Sequence, residues 1–292
     1  MNTRVFRFAP SPNGRLHLGH ALSALLNADM TRATAGRLLL RIEDIDGTRA
    51  RDTFVAAIED DLAWLGFEPE RPVRRQSEHE SDYRQALTRL TEMGLTYVSF
   101  LSRTEIKAAI AAASRSAAPW PTDPDGAPLY PGPERLWGRA EVAERLAAGA
   151  PYSIRLDMQK AVARVGRLDW QEFGDQLDGL SSVIHADAAA WGDVVLAGKY
   201  TPASYHLAVV VDDALQGVTD VVRGRDLFFA TAVHRLLQTL LDLPCPRYHH
   251  HRLIVGDDGR KLAKSEKSRA LAALRAEGAS PTDIRRLVGL GN

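Results

Sequence analysis

The stretch that most constrains this chain is residues 5–20. Val5-Phe6-Arg7-Phe8-Ala9 alternates bulk as a short strand does, Pro10 and Pro12 end it, and Asn13-Gly14 makes a turn. Over residues 20–35 the apolar positions Ala21, Leu22, Ala24, Leu25, Leu26 and Ala28 recur at helical spacing, and Gly36 suits the C-terminal cap. A strand that passes through a tight turn into a helix opens a parallel α/β sheet. The continuation agrees. Residues 37–42 read as a buried strand, and 53–65 and 81–93 as amphipathic helices closed by Gly66 and Gly94.

The pattern changes after residue 95. Residues 108–118 are alanine-rich and predicted helical, and 119–133 hold Pro119, Pro121, Pro124, Pro128, Pro131 and Pro133, which leave no room for regular structure. Strands are predicted at 152–156 and 193–196. Sheet signals return at 205–211 and 217–222, a helix follows over 226–241, and the tail reads as short helices with Pro281 near the start of one. The expected division is the first half of an α/β domain at 1–95, an inserted subdomain at 96–185, the second half at 186–240, and a loop with a helical tail at 241–292.

Charge and cysteine content narrow the options. Lys plus Arg and Asp plus Glu are 37 each, so bulk charge does not coat nucleic acid, although a local basic face stays open. Cys245 is the single cysteine, which excludes an intramolecular disulfide and a zinc site with two thiolates. No apolar run reaches the ~20 residues that span a bilayer, and the start lacks a secretory h-region, so no membrane partner and a cytoplasmic location are expected.

Two motifs carry chemistry. His17-Leu18-Gly19-His20 sits where turn meets helix: imidazole N–H groups donate to phosphate oxygens, the helix start adds its positive end, and Gly19 lets a flat base or ribose pack on the backbone. With 9 histidines and 22 glycines, His-x-Gly-His arises by chance only about 0.02 times in this chain. Far downstream, Val255-Gly256-Asp257-Asp258-Gly259 leads into Arg260-Lys261-Leu262-Ala263-Lys264-Ser265, the form of a loop that closes on a polyphosphate. The first motif already favours a phosphate site over a plain helix start; the lysine pair alone reads as a solvated loop, and paired with the first it reads as part of a nucleotide site. His249-His250-His251 is a poor metal site, because neighbours in a strand face opposite ways.

These residues carry a family resemblance. His17-Leu18-Gly19-His20 resembles the HIGH signature of class I aminoacyl-tRNA synthetases, and Lys261-Leu262-Ala263-Lys264-Ser265 their KMSKS loop. Arg7-Phe8-Ala9-Pro10-Ser11-Pro12-Asn13-Gly14, Arg41-Ile42-Glu43-Asp44-Ile45-Asp46 and Val222-Arg223-Gly224-Arg225-Asp226-Leu227 resemble the glutamyl branch. The resemblance implies a Rossmann-like catalytic domain with an inserted α+β subdomain and a short helical C-terminal segment. Only 27 residues follow Ser265, so an anticodon-binding domain is not expected, and the form is that of the short glutamyl-queuosine tRNA(Asp) synthetases. That branch implies activation of glutamate by ATP with Mg²⁺, without tRNA. Glutamate is then transferred to the queuosine in the anticodon arm of tRNA(Asp).

The same resemblance implies site roles. His17, His20 and Lys264 are the expected catalytic residues, and His17, Gly19, His20, Lys261, Lys264 and Ser265 the ATP contacts. Arg7, Ala9, Ser11, Glu43, Tyr205 and Arg223 are the expected glutamate contacts. Arginine forks suit the carboxylates and Glu43 the ammonium. Many relatives hold zinc in the insertion through three cysteines and a tyrosine. The corresponding positions here are Ser99, Leu101, Tyr130 and Glu134, so no structural zinc is predicted. Arg71, Arg74, Arg75 and Arg84, a second cluster of Arg252, Arg260, Lys261, Lys264 and Lys267, and Arg285-Arg286 are candidates to follow an anticodon stem. The competing readings are acceptor-end glutamyl-tRNA synthetase, another HxGH nucleotidylyltransferase, and a non-catalytic paralogue.

Overall fold

The computed structural model describes residues 3–114, 119–174, 181–254 and 269–291. Strand β1 (Val5–Phe8) runs into helix α1 (Leu18–Ala33), which returns to β2 (Arg37–Ile42); α2 (Asp52–Trp64) then leads to the two-residue β3 (Arg74–Arg75). All four residues of β1 are buried, as expected of a strand with both faces covered. Phe6 and Phe8 pack on the α1 and α2 side with Leu38, Leu40 and Ile42. Val5 and Leu39 face the opposite core.

After α3 (Glu80–Glu92) the chain leaves this sheet for β4 (Thr96–Ser99), α4 (Arg103–Ala113), α5 (Arg139–Ala147), β5 (Ser153–Leu156) and α6 (Met158–Val165). It re-enters with β6 (Asp169–Glu172) and β7 (Ser182–His185), leaves again for β8 (Val195–Ala197), and returns through α7 (Tyr205–Leu215) to β9 (Asp220–Gly224), α8 (Thr231–Leu240) and β10 (Arg247–His251). Helices α9 (Leu271–Ala276) and α10 (Pro281–Leu287) follow. The large sheet has the order β3-β2-β1-β9-β10-β6-β7, parallel except for β7; the small one is antiparallel, β4-β5-β8. The expected boundary at 185/186 is therefore not where the sheets change. Strands β6 and β7 of the expected insertion belong to the large sheet, and β8 beyond it belongs to the small one.

Residues 205–211 are helix, not strand. Leu207 to Asp213 are buried without interruption on α7, because the helix is enclosed on all sides. A helix apolar all round shows no periodicity, and its Val209-Val210-Val211 run mimics a buried strand. The order of the large sheet places its switch point between β1 and β9, whose connections run off to opposite sides. In open parallel sheets the ligand crevice lies there, at the carboxyl ends of the strands.

Candidate functional site

The first element of the site is the start of α1. His17 is its N-cap in extended conformation, with Nδ1 accepting from Gly19 N at 3.1 Å, while His20 Nδ1 accepts from His17 N at 3.2 Å. The two rings lie 3.9 Å apart. Both Nδ1 lone pairs are engaged by backbone N–H groups, so each neutral ring carries its proton on Nε2. A Cβ on Gly19 would stand 3.0 Å from His17 Cε1, so the glycine makes room for the histidine that caps its own helix. Lys261, Lys264 and Ser265 lie outside the described residues. The chain just after them is tied to this motif: Ala270 bridges His17, and Leu271 N donates to Leu16 O at 2.9 Å.

The carboxyl ends of β1 and β2 hold a buried ionic network. Arg7 donates through Nε to Asp213 at 3.0 Å. Arg41, fully buried, reaches Asp213 at 2.8 Å, Glu43 at 3.3 Å and Asp212 at 3.6 Å. Asp212 in turn accepts from Arg74 at 2.7 Å, Gln76 at 2.8 Å and Tyr83 at 3.0 Å. Burial raises the Glu43 carboxyl, and the pull of Arg41 and Arg7 only partly offsets it. Burial works the same way on Asp213, but Arg7 and Arg41 prevail and hold it below the usual carboxylate range. Asp212 and Asp213 have no counterpart among the sequence-predicted residues; their one signal is a pair of acids inside an apolar run. A cleft of about 220 Å³ opens on this network, lined among others by Ser11, Asn13, Glu43, Gln76, Ser204 and Tyr205. Glu43 N donates to Pro10 O at 3.0 Å, which joins the loop after Ala9 to the end of β2.

Arg223, on β9 beside β1, differs from every other buried arginine here. It is 5% exposed, and all five N–H groups are engaged. Nε donates to His250 Nε2 at 3.0 Å; Nη1 to His234 Nδ1 at 3.1 Å and Tyr205 Oη at 3.3 Å; Nη2 to Thr231 Oγ1 at 2.7 Å and Leu227 O at 3.2 Å. Each acceptor is uncharged, and among the described residues no carboxylate pairs with this guanidinium. The tautomers follow from the partners. His250 carries its proton on Nδ1 and donates to Glu172 at 2.7 Å; His234 carries its proton on Nε2 and donates to His206 Nδ1 at 3.3 Å. Burial together with Arg223 lowers His206 to about 4 and takes His234 well below its ordinary value. Burial lowers His250 to about 4 as well, with Arg223 adding to it and Glu172 opposing.

Arg7 thus lies buried on Asp213 and Ala9 follows the end of β1, while Ser11, Glu43 and Tyr205 line the cleft, with Arg223 bonded to the Tyr205 hydroxyl. Tyr205 reaches the cleft from the first turn of α7 rather than from a strand. The three consecutive histidines diverge: His249 meets Asp220 at 3.1 Å, His250 meets Arg223 and Glu172, and His251 meets Arg252 O at 2.8 Å. Among the described residues no cluster of histidine, cysteine or acidic side chains is placed to hold a metal.

The zinc positions of the insertion do not fit a metal. Leu101 has no lone pair to offer, and Ser99 Oγ accepts from Arg155 at 3.1 Å. The buried Glu134 carboxylate accepts from Phe100 N at 2.9 Å, Leu101 N at 3.3 Å and Tyr130 Oη at 2.7 Å. Arg155 lies over the Tyr130 ring at 3.5 Å. Of the expected basic residues, Arg260, Lys261, Lys264 and Lys267 lie outside the described residues, and six of the others sit against carboxylates. Arg71 pairs with Glu59, Arg74 with Asp82 and Asp212, Arg75 with Asp44 and Asp52, Arg84 with Glu80, Arg285 with Asp29 and Arg286 with Asp283.

Comparison with known proteins adds four findings. Residues 4–290 match the family model of the class I tRNA synthetases (E and Q), catalytic domain. The chain is 50% identical to a glutamyl-Q tRNA(Asp) synthetase of Rhodobacter capsulatus over 98% of its own length and all of that protein's. It is 36% identical to glutamate–tRNA ligase 1 of Ruegeria pomeroyi, of which it covers 60%. Its fold matches a crystal structure of a glutamate tRNA ligase from Elizabethkingia meningosepticum in complex with its amino acid, with a TM-score of 0.79, 24% identity, and coverage of 99% of this chain and 61% of that one.

Proposed function

The chain belongs to the class I tRNA synthetases of the E and Q branch, and from that premise we propose that it activates glutamate with ATP and transfers it to the queuosine of tRNA(Asp). The observation that carries the choice of substrate is Arg223. A buried guanidinium with only neutral acceptors lacks the counter-charge that its burial calls for. A carboxylate of glutamate supplies it, entering at the Tyr205 side, where Nη1 makes its longest hydrogen bond. Arg7, whose Nε and Nη2 are taken by Asp213, has Nη1 left for the other end of the substrate, and Glu43 meets the ammonium.

The first step needs no protein nucleophile. An oxygen of the glutamate α-carboxylate attacks the α-phosphorus of ATP, which enters as its magnesium complex. The bond to the bridging oxygen breaks, and pyrophosphate leaves with that electron pair. His17 and His20 donate from Nε2 to the phosphates at the positive end of α1, and Lys264 adds a point charge. In the second step a hydroxyl of the queuosine ring attacks the acyl carbon of the mixed anhydride, and AMP leaves. Because tRNA is the acceptor, a cytoplasmic location follows. Among the described residues no helix is long and apolar enough to cross a membrane.

Glutamate-dependent ATP–pyrophosphate exchange without tRNA tests the first step. Exchange is expected in the parent protein, and Lys264→Ala is expected to lose at least about tenfold. Exchange that requires tRNA, or none at all, overturns the reading. Labelled glutamate retained on an isolated queuosine-containing anticodon arm tests the second step. Charging of tRNA(Glu) at its acceptor end with no labelling of that arm overturns it in favour of a glutamyl-tRNA synthetase.

A further inference from the structure

The residues around Arg223 raise a question of their own. The neighbouring arginines Arg7, Arg41 and Arg74 are each held by aspartates, the ordinary way to bury a guanidinium. Around Arg223 the same task falls to two imidazoles, a hydroxyl, a phenol and a carbonyl. The acid that the network does engage, Glu172, is kept a full imidazole away, behind His250. Its Oε1 also accepts from His250 N at 2.9 Å, so the ring and its backbone are fixed by one carboxylate. On the far side His206 fixes His234 in the same manner, as acceptor to its Nε2 proton.

We propose that His234 and His250 are positioning residues for the activation step, and that their neutrality sets glutamate affinity. They hold the Arg223 fork by hydrogen bonds while withholding a counter-charge, so that the substrate carboxylate becomes the guanidinium's ion-pair partner. The inference rests on Arg223 as the glutamate-reading arginine. A carboxylate in place of His234 would still accept from Arg223, yet it would neutralise the guanidinium before glutamate arrives. Fold stability and substrate affinity then move in opposite directions, which a purely structural role does not produce.

Five variants in the full chain test this by ATP–pyrophosphate exchange and thermal melting. His234→Glu is expected to raise the glutamate KM by at least about tenfold, leave the ATP KM within about twofold, and keep or raise the melting midpoint. His250→Gln keeps an acceptor for Arg223 and a donor for Glu172 and is expected to stay within about threefold of the parent, whereas His250→Leu is not. Should His234→Glu fail to fold, Thr231→Asp offers the same counter-charge to Nη2 from the first turn of α8, with the same expected rise. An unchanged glutamate KM in the folded acidic variant, alongside a raised one in Arg223→Gln, overturns the inference and leaves the glutamate reading standing. An unchanged KM in Arg223→Gln overturns the glutamate reading itself.

Discussion

At the scale of single residues, burial costs a group whatever charge its surroundings do not support, and pH tests this directly. His250 has its pKa lowered to about 4 by burial and Arg223, against Glu172, and with His251 also facing it. An unfolded histidine titrates near 6.5, so between those values the unfolded chain binds the extra proton and the folded chain does not. Stability is therefore complete above about pH 6.5 and falls as pH drops toward 4, by as much as about 3 kcal/mol for this residue. Urea midpoints at pH 7 and pH 5 check this, and His250→Gln is expected to reduce the difference by the share of this residue, with those of His206 and His234 remaining. Gly19→Ala makes a second case. The new Cβ would press on the His17 ring at 3.0 Å, so a loss of about tenfold in kcat/KM for ATP, with a nearly unchanged melting point, is the expected outcome. The residues of the HLGH turn were legible in the sequence because their partners lie three positions away. Asp212 and Asp213 were not, since what they hold, Arg7 and Arg41, lies more than a hundred residues upstream. Nor was the end of α1. Ala35 takes the left-handed conformation, and Gly36 is needed because a Cβ there would meet Arg4 O at 2.7 Å.

Among the elements, short buried strands and helices with a one-sided apolar pattern read well, and the helix enclosed on all sides did not. Strands β1 and β2 and helices α1 to α3 stand close to where the periodicity puts them, whereas α7 reads as a strand because nothing polar breaks its middle. The insertion shows how a hydrogen-bonded acid organises a loop. Glu134, in the short turn Pro133–Leu136, gathers the link between β4 and α4 and the Tyr130 hydroxyl. Truncation in Glu134→Ala leaves two backbone N–H groups and a phenol without an acceptor. A loss of about 2–3 kcal/mol in urea unfolding is expected. Added zinc is expected to restore none of it, since Leu101 and Ser99 remain poor ligands.

For the molecule as a whole, zero net charge is matched by local pairing. Six of the arginines that looked available for RNA already sit against carboxylates. Binding to the anticodon arm should then release few counterions. A log–log salt slope shallower than about −3, fewer than about four phosphates, is the expected result of titrations between low and moderate salt. A steeper slope would mean that those pairs open on the RNA.

The weaving of the two sheets also bears on how this protein can be taken apart. Strands β4 and β5 of the small sheet come before β6 in the chain, and β8 comes after it. A clean excision between β4 and β8 would carry away β6, and with it Glu172, the carboxylate that sets the proton on His250 behind Arg223. The middle of this chain is thus not a detachable cassette. A chimera that borrows a relative's insertion must keep 169–185 from the host, or import the matching strand with an acid at the same place, or it will exchange more than a loop.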